Sequence, residues 1–162
     1  DIHAGDGVQE MLADTDIPTI SIHNGTIFPT GSDTRDRNKY GQRHFWHNPS
    51  KHWYNINLTD TDGDDGLLWA MDQATEIIDE YQPDIILLAA GADGHVGSPL
   101  ASNTFTQAGF RSAAERIAAL ANKYANGRVL IGGAGGYQPY KETPETWATV
   151  VSTIYRNTLV KE

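Results

Sequence analysis

Apolar positions along the chain follow two rhythms. Tyr54-Asn55-Ile56-Asn57-Leu58 alternates apolar and polar residues with period two, and Ile17-Pro18-Thr19-Ile20-Ser21-Ile22-His23 reads as a second short strand. Asp84-Ile85-Ile86-Leu87-Leu88-Ala89-Ala90-Gly91 is continuously apolar in its middle, the pattern of a parallel strand covered by helices on both faces, and Arg128-Val129-Leu130-Ile131-Gly132 repeats it. Between them the spacing turns helical. Over 65–81, Leu68, Met71, Ala74, Ile77 and Ile78 share one face, and the helix ends before Gln82-Pro83. Over 106–124, Phe110, Ala113, Ile117 and Leu120 point inward, with Gly127 shortly past the end. A last helix is expected to start with Thr143 as cap and Pro144 in its first turn, then run through Trp147, Val150, Val151 and Ile154. Strand and helix alternate, which implies an α/β fold with a mostly parallel sheet flanked by helices in three α/β/α layers. Residues 32–53 resist the pattern. They are polar, basic and aromatic, and are expected to form a long irregular loop.

Length and charge narrow the partners. At 162 residues the chain is the size of one domain, and 12 basic against 21 acidic residues disfavour nucleic acid and anionic membrane surfaces. No apolar run approaches the roughly 20 residues that cross a bilayer, and no signal-peptide pattern opens the sequence, so a cytoplasmic location is expected. The lack of cysteine removes disulfides and thiolate metal sites, leaving carboxylate, imidazole or water as ligands.

Ligands of open α/β sheets bind beyond the carboxyl ends of the strands, which singles out three segments. Asp1-Ile2-His3-Ala4-Gly5-Asp6-Gly7 puts a carboxylate and an imidazole two residues apart, on one side of an extended backbone. Gly91-Ala92-Asp93-Gly94-His95 follows the most apolar strand, and Gly132-Gly133-Ala134-Gly135-Gly136-Tyr137 follows the last. Each has a plainer reading: a solvated terminus, a turn aspartate, glycines of a tight turn. Asp6 could equally cap a helix over 7–12, with Gln9 completing a capping box. His95 reads as an exposed loop residue, and His44, His47 and His52 as a solvated loop rather than a second metal or anion site. Asp62, Asp64 and Asp65 lack the closing glutamate of a calcium loop and read as helix caps. The glycines at 132–136 do not open a helix, against a dinucleotide-binding turn.

Taken together, these segments resemble the histone deacetylase superfamily, which includes acetoin-utilisation proteins and acetylpolyamine amidohydrolases. Asp1 to Gly7 is similar to its D-x-H-H-G-[DN]-G motif, Ser21-Ile22-His23 and Phe28-Pro29-Thr30-Gly31 to its S-[LI]-H and F-P-G-T-G segments. Asn55-Ile56-Asn57-Leu58 with Gly63-Asp64-Asp65-Gly66, Gly91-Ala92-Asp93, Gly97-Ser98-Pro99-Leu100 and Gly135-Gly136-Tyr137 continue the match in order. The stretch from Gln138 to Trp147 looks closest to the bacterial acetoin-utilisation branch.

The resemblance implies the carboxyl-terminal part of an arginase/deacetylase-like fold, with residues 1–162 an incomplete deacetylase domain. It implies Asp1, His3 and Asp93 as ligands of a catalytic zinc or other divalent metal, with Tyr137 donating its hydroxyl to the substrate amide oxygen. It places Asp6 as the carboxylate orienting a catalytic histidine, Phe28 as an aromatic wall of the acetyl-lysine channel, and Ser21 in a monovalent-cation site that takes K+. Gly135 and Gly136 let backbone approach the substrate. The expected substrate is an acetylated small molecule or an acetyl-lysine protein, and an oligomer is compatible with the pattern. Ala4 replaces a histidine that the family does not use as a ligand. The family's Gly-Gly-x-His-His segment, source of its general bases, has no match here, so the chain alone is expected to be inactive. The alternative expectation is a catalytically inactive family member, or an assembly fragment without metal.

Overall fold

The expected alternation of strand and helix is present in a computed structural model that describes residues 1–29, 42–100 and 103–158. Its elements are α1 (Asp6–Met11), β1 (Thr19–Asn24), β2 (His44–Asn48), β3 (Trp53–Leu58), α2 (Asp64–Tyr81), β4 (Ile86–Ala90), α3 (Gln107–Tyr124), β5 (Val129–Gly133) and α4 (Glu142–Asn157). β1 and β3 pair in parallel, Thr19 opposite Trp53 through Asn24 opposite Leu58. β4 and β5 form a second parallel pair, Ile86 opposite Val129 through Ala90 opposite Gly133. The α/β class stands, with the strands forming two hydrogen-bonded sheets rather than one.

The helices end where local chemistry ends them. α2 stops at Gln82, whose left-handed φ of 49° precedes Pro83. α3 starts where the Thr106 hydroxyl accepts from the amides of Ala108 and Gly109, and Gly127 follows its end at φ 77°. One core joins α2, α3 and α4 to the strands through Ile56, Leu58, Met71, Ile77, Ile117, Leu120, Val150 and Ile154.

Several expectations change. α4 begins at Glu142 rather than being capped by Thr143, because the Thr143 hydroxyl accepts from Gln138 N at 3.0 Å; Pro144 does sit in the first turn. α2 has no side-chain cap either. Asp62 instead accepts from Thr59 N at 2.7 Å and from Arg43, while the Asp64 carboxylate reaches Thr106 N at 2.7 Å. The capping box of Asp6 and Gln9 does not form. Gln9 is buried and its Nε2 donates to Asn55 Oδ1 at 2.9 Å, which is why the polar face of β3 is as buried as its apolar face.

The described part of 32–53 is ordered, not irregular. β2 runs antiparallel to β3, with Phe45 opposite Ile56 and His47 opposite Tyr54, and Asn48 Oδ1 accepts from Ser50 N in the turn between them. Thr30, Gly31, Arg35, Arg37 and Lys39 lie outside the described residues. β4 is not covered on both faces by the described residues. Ile86 and Ala90 are buried, but Leu87 and its partner Leu130 are 68% and 63% exposed.

No helix among the described residues is long and apolar enough to cross a membrane.

Candidate metal centre

Three chain segments meet beyond the carboxyl ends of the strands. The turn after β4 carries Asp93, the glycine run after β5 carries Gly135, and Asp1 to Gly5 lies across both. Ala92 N donates to Gly135 O at 2.6 Å, joining the two loops, and Gly135 N donates to an Asp1 carboxylate oxygen at 2.5 Å. Asn24 N donates to Ile2 O at 2.8 Å, tying the first segment to the end of β1.

Asp93 has no exposed surface. Its Oδ1 accepts from Ile2 N at 3.0 Å, which leaves Oδ2 directed at His3 Nδ1, 2.7 Å away. Asp1 Oδ1 accepts from His3 N at 2.8 Å and lies 3.1 Å from His3 Nδ1. Residues 1–5 are therefore not an extended strand: an aspartate turn brings Asp1 and His3 together, because a short carboxylate readily bonds the amide two residues on. Asp1, His3 and Asp93 each offer one ligand atom, all within 4.8 Å of one another.

Donors bonded to one zinc at about 2.0–2.2 Å lie roughly 3.4 Å apart in a tetrahedron. His3 Nδ1, at 2.7 and 3.1 Å from its two carboxylate partners, stands at hydrogen-bond distance from both, closer than that spacing, so the three groups converge and have only to part slightly to hold an ion. Two anionic oxygens and an imidazole, without a lysine or arginine bonded to them among the described residues, are a donor set that suits a divalent cation. The cradle depends on missing side chains. A Cβ at Gly135 would fall 2.5 Å from Asp93 Cγ and 2.8 Å from Asp1 Oδ2, and one at Gly91 would fall 2.6 Å from Asp1 Cβ. Gly135→Ala is therefore expected to cost about 1–3 kcal/mol through overpacking and to push the two carboxylates apart. Urea unfolding reads the first effect, and an unchanged midpoint would show that the loop yields freely.

The other residues singled out from the sequence are placed as follows. Tyr137 follows the Gly135-Gly136 pair and is 48% exposed, open to a bound molecule. Gly136 packs against α4, where a Cβ would fall 2.5 Å from Thr143 Cγ2. Ser21 is buried; its hydroxyl accepts from Gly5 N at 3.0 Å and lies 2.9 Å from His23 Nδ1. Phe28 is 81% exposed, and Asp6 is exposed in the first turn of α1, where its Oδ1 bonds Gly7 N. Ala4 is buried.

His95 is buried rather than exposed, since its Nδ1 accepts from Gly97 N at 3.0 Å and its ring stacks on Phe110; it shapes the loop after Asp93 and stands outside the cluster. His44 and His47 are exposed, as expected, but lie on β2 rather than in a loop, and His52 Nδ1 is 2.6 Å from the Tyr81 hydroxyl at the hairpin end.

Support residues escaped the sequence reading. His23 and Asn24 are each 1% exposed beneath the site, and Asn24 Nδ2 donates to Asp60 and Asn103. The signal for His23 was its spacing from Ser21, two residues apart on one strand face. Nothing in the sequence marked Asn103, whose amide donates to the carbonyls of Thr59 and Asp62.

Residues 1–154 match the model of the histone deacetylase domain. A probable deacetylase of Archaeoglobus fulgidus is 29% identical over 157 residues, which cover 95% of this chain and 42% of that protein. The acetoin utilization protein AcuC of Bacillus subtilis is 30% identical over 157 residues, 93% of this chain and 38% of its own. Among solved structures, acetylpolyamine aminohydrolase from Burkholderia pseudomallei superposes with a TM-score of 0.74 at 21% identity, over 95% of this chain and 42% of that one. The HD domain of HDA15 gives a TM-score of 0.76 at 22% identity, over 96% and 43%. The chain thus spans about two-fifths of the length of these relatives.

Proposed function

The chain belongs to the histone deacetylase domain family, and from that membership we propose that it forms the metal-holding side of a hydrolytic deacetylase that cleaves an acetyl-amide bond. The observation that carries this reading is the convergence of Asp1, His3 and Asp93 from distant parts of the sequence onto one point.

A divalent metal held by these three residues, zinc first among them, supplies Lewis acidity toward a carbonyl oxygen and water. The protein's own groups do the rest. Ile2 N occupies Asp93 Oδ1 and so fixes which oxygen faces the site, and Gly135 N does the same for Asp1. The Tyr137 hydroxyl donates to the amide oxygen of the substrate, a hydrogen bond that strengthens as negative charge develops there. Phe28 provides an apolar wall for the acyl or amine arm, and Asp6 orients a general base supplied by the remainder of a full-length domain. Ser21 contributes to a monovalent-cation site that takes K+.

The relatives named for deacetylation and for acetylpolyamine support an acetylated amine or acetyl-lysine as the substrate class. The test is acetate release by the full-length protein from an acetyl-lysine peptide and from an acetylated diamine. Chelation is expected to abolish turnover and zinc to restore it. Undiminished hydrolysis by metal-free protein would sink the metal assignment.

A further inference from the structure

A second pocket lies at the opposite edge of the sheet from the metal cluster. Asp1 to Gly5 meets β1 at Asn24, which pairs with Leu58 at the end of β3. Tyr54 stands near the start of β3, four residues earlier and so roughly 13 Å away along the strand. Around it a cavity of about 490 Å³ is lined by Phe45, His47, His52, Tyr54, Tyr81 and the α2 residues Gln73, Glu76, Ile77 and Glu80, with Pro49 at its edge. That volume is in the range of small-molecule sites.

Its walls are aromatic and pre-set. Phe45, His47 and Tyr54 stack nearly parallel, His47 to Tyr54 at 5.3 Å between centroids and 5° between planes, and Phe45 to His47 at 6.2 Å and 10°. Tyr81 stands edge-on to both Tyr54 and His52. The Tyr54 and Tyr81 hydroxyls are 2.9 Å apart, and the Tyr81 hydroxyl is 2.6 Å from His52 Nδ1, so two of the phenol rings are fixed by hydrogen bonds. Burial and the bond to Tyr81 raise the pKa of Tyr54, which keeps its phenol neutral.

The charge is acidic and unspent. Elsewhere on α2, Asp65 pairs with Arg43, Asp72 with Arg116 and Asp79 with Lys123. Among the described residues, Glu76 and Glu80, the two acids that line the pocket, have no ion pair, and no lysine or arginine lines the cavity. Aromatic faces carry negative electrostatic potential, and with two free carboxylates they favour a cation that sheds water readily.

We propose that this pocket binds a small alkylated ammonium ion, with the cationic head against the Phe45, His47 and Tyr54 rings and the charge offset by Glu76 and Glu80. A neutral ligand of the same shape gains the ring contacts without the electrostatic attraction, and an anion is repelled. The site is separate from the metal cluster and uses β2, the strand that stands where the sequence read a loop.

Calorimetric titration with choline, set against its neutral isostere 3,3-dimethylbutanol, tests this directly. Choline is expected to bind saturably at one site with a Kd on the order of 1 mM or tighter, and the alcohol at least about tenfold more weakly. The double substitution Glu76→Gln and Glu80→Gln, on exposed positions of α2, is expected to weaken choline about tenfold without altering metal content. Phe45→Ala is expected to do the same. No saturable choline binding would overturn the proposal, as would equal affinity for the alcohol. So would unchanged affinity in a folded double-glutamine variant, its fold checked by circular dichroism.

Discussion

Replacing Asp93 by asparagine in the full-length protein is expected to strip the metal from the site and lower deacetylation by more than about 100-fold, the upper end of what outer-shell changes around metal ligands cost. Asparagine keeps Oδ1 as the acceptor for Ile2 N, so the buried segment stays anchored, but the group facing His3 loses its charge. Asp93→Ala removes both. It leaves the amide of the buried residue Ile2 without its acceptor, adding about 1–3 kcal/mol of destabilisation to the loss of metal. Metal analysis of the two variants together with their urea midpoints separates the ligand role from the anchoring role. Stoichiometric metal in a folded Asp93→Asn protein would refute the ligand assignment.

Tyr137→Phe is expected to act on the other side of the reaction. The substitution removes one hydroxyl from a half-exposed side chain, so the fold and the metal cluster should be unaffected. Loss of a single donor to a developing oxyanion lowers kcat by about 10²–10³-fold. The signature is a fall in kcat at constant metal content, with KM changed far less, because the lost hydrogen bond matters most in the transition state. Normal turnover by Tyr137→Phe would remove this residue from the chemistry while leaving the metal site standing.

The two predictions differ in how much of their basis was visible in sequence. Asp1, His3 and Asp93 stood out because carboxylates and an imidazole at strand ends suit a metal and because their motifs recur in family order. Their meeting was expected from those motifs, but what permits it was not visible: it depends on Gly135 lacking a side chain and on backbone amides of Ile2 and Gly135 selecting the carboxylate oxygens. Tyr137 was legible only through its motif, since an aromatic after glycines has no periodicity to read. The loop over 32–53 misled for a physical reason. Its charge and histidines look solvated, yet Phe45 and His47 find Tyr54 as a stacking partner only once β3 lies alongside.

By itself the sequence determined what short-range chemistry controls: period-two, continuously apolar and 3.6-residue patterns that set the type of seven of the nine elements among the described residues, the Gln82-Pro83 stop, and the ligand types that the metal cluster requires. Tertiary structure decided what depends on neighbours far along the chain. It recruited Gln9 and Asp64 from capping to long-range hydrogen bonds, because each found a partner better placed than its own helix end. It also turned His95 inward and brought Asp1 and Asp93 onto the same imidazole, a contact across 90 residues of chain that no local pattern encodes.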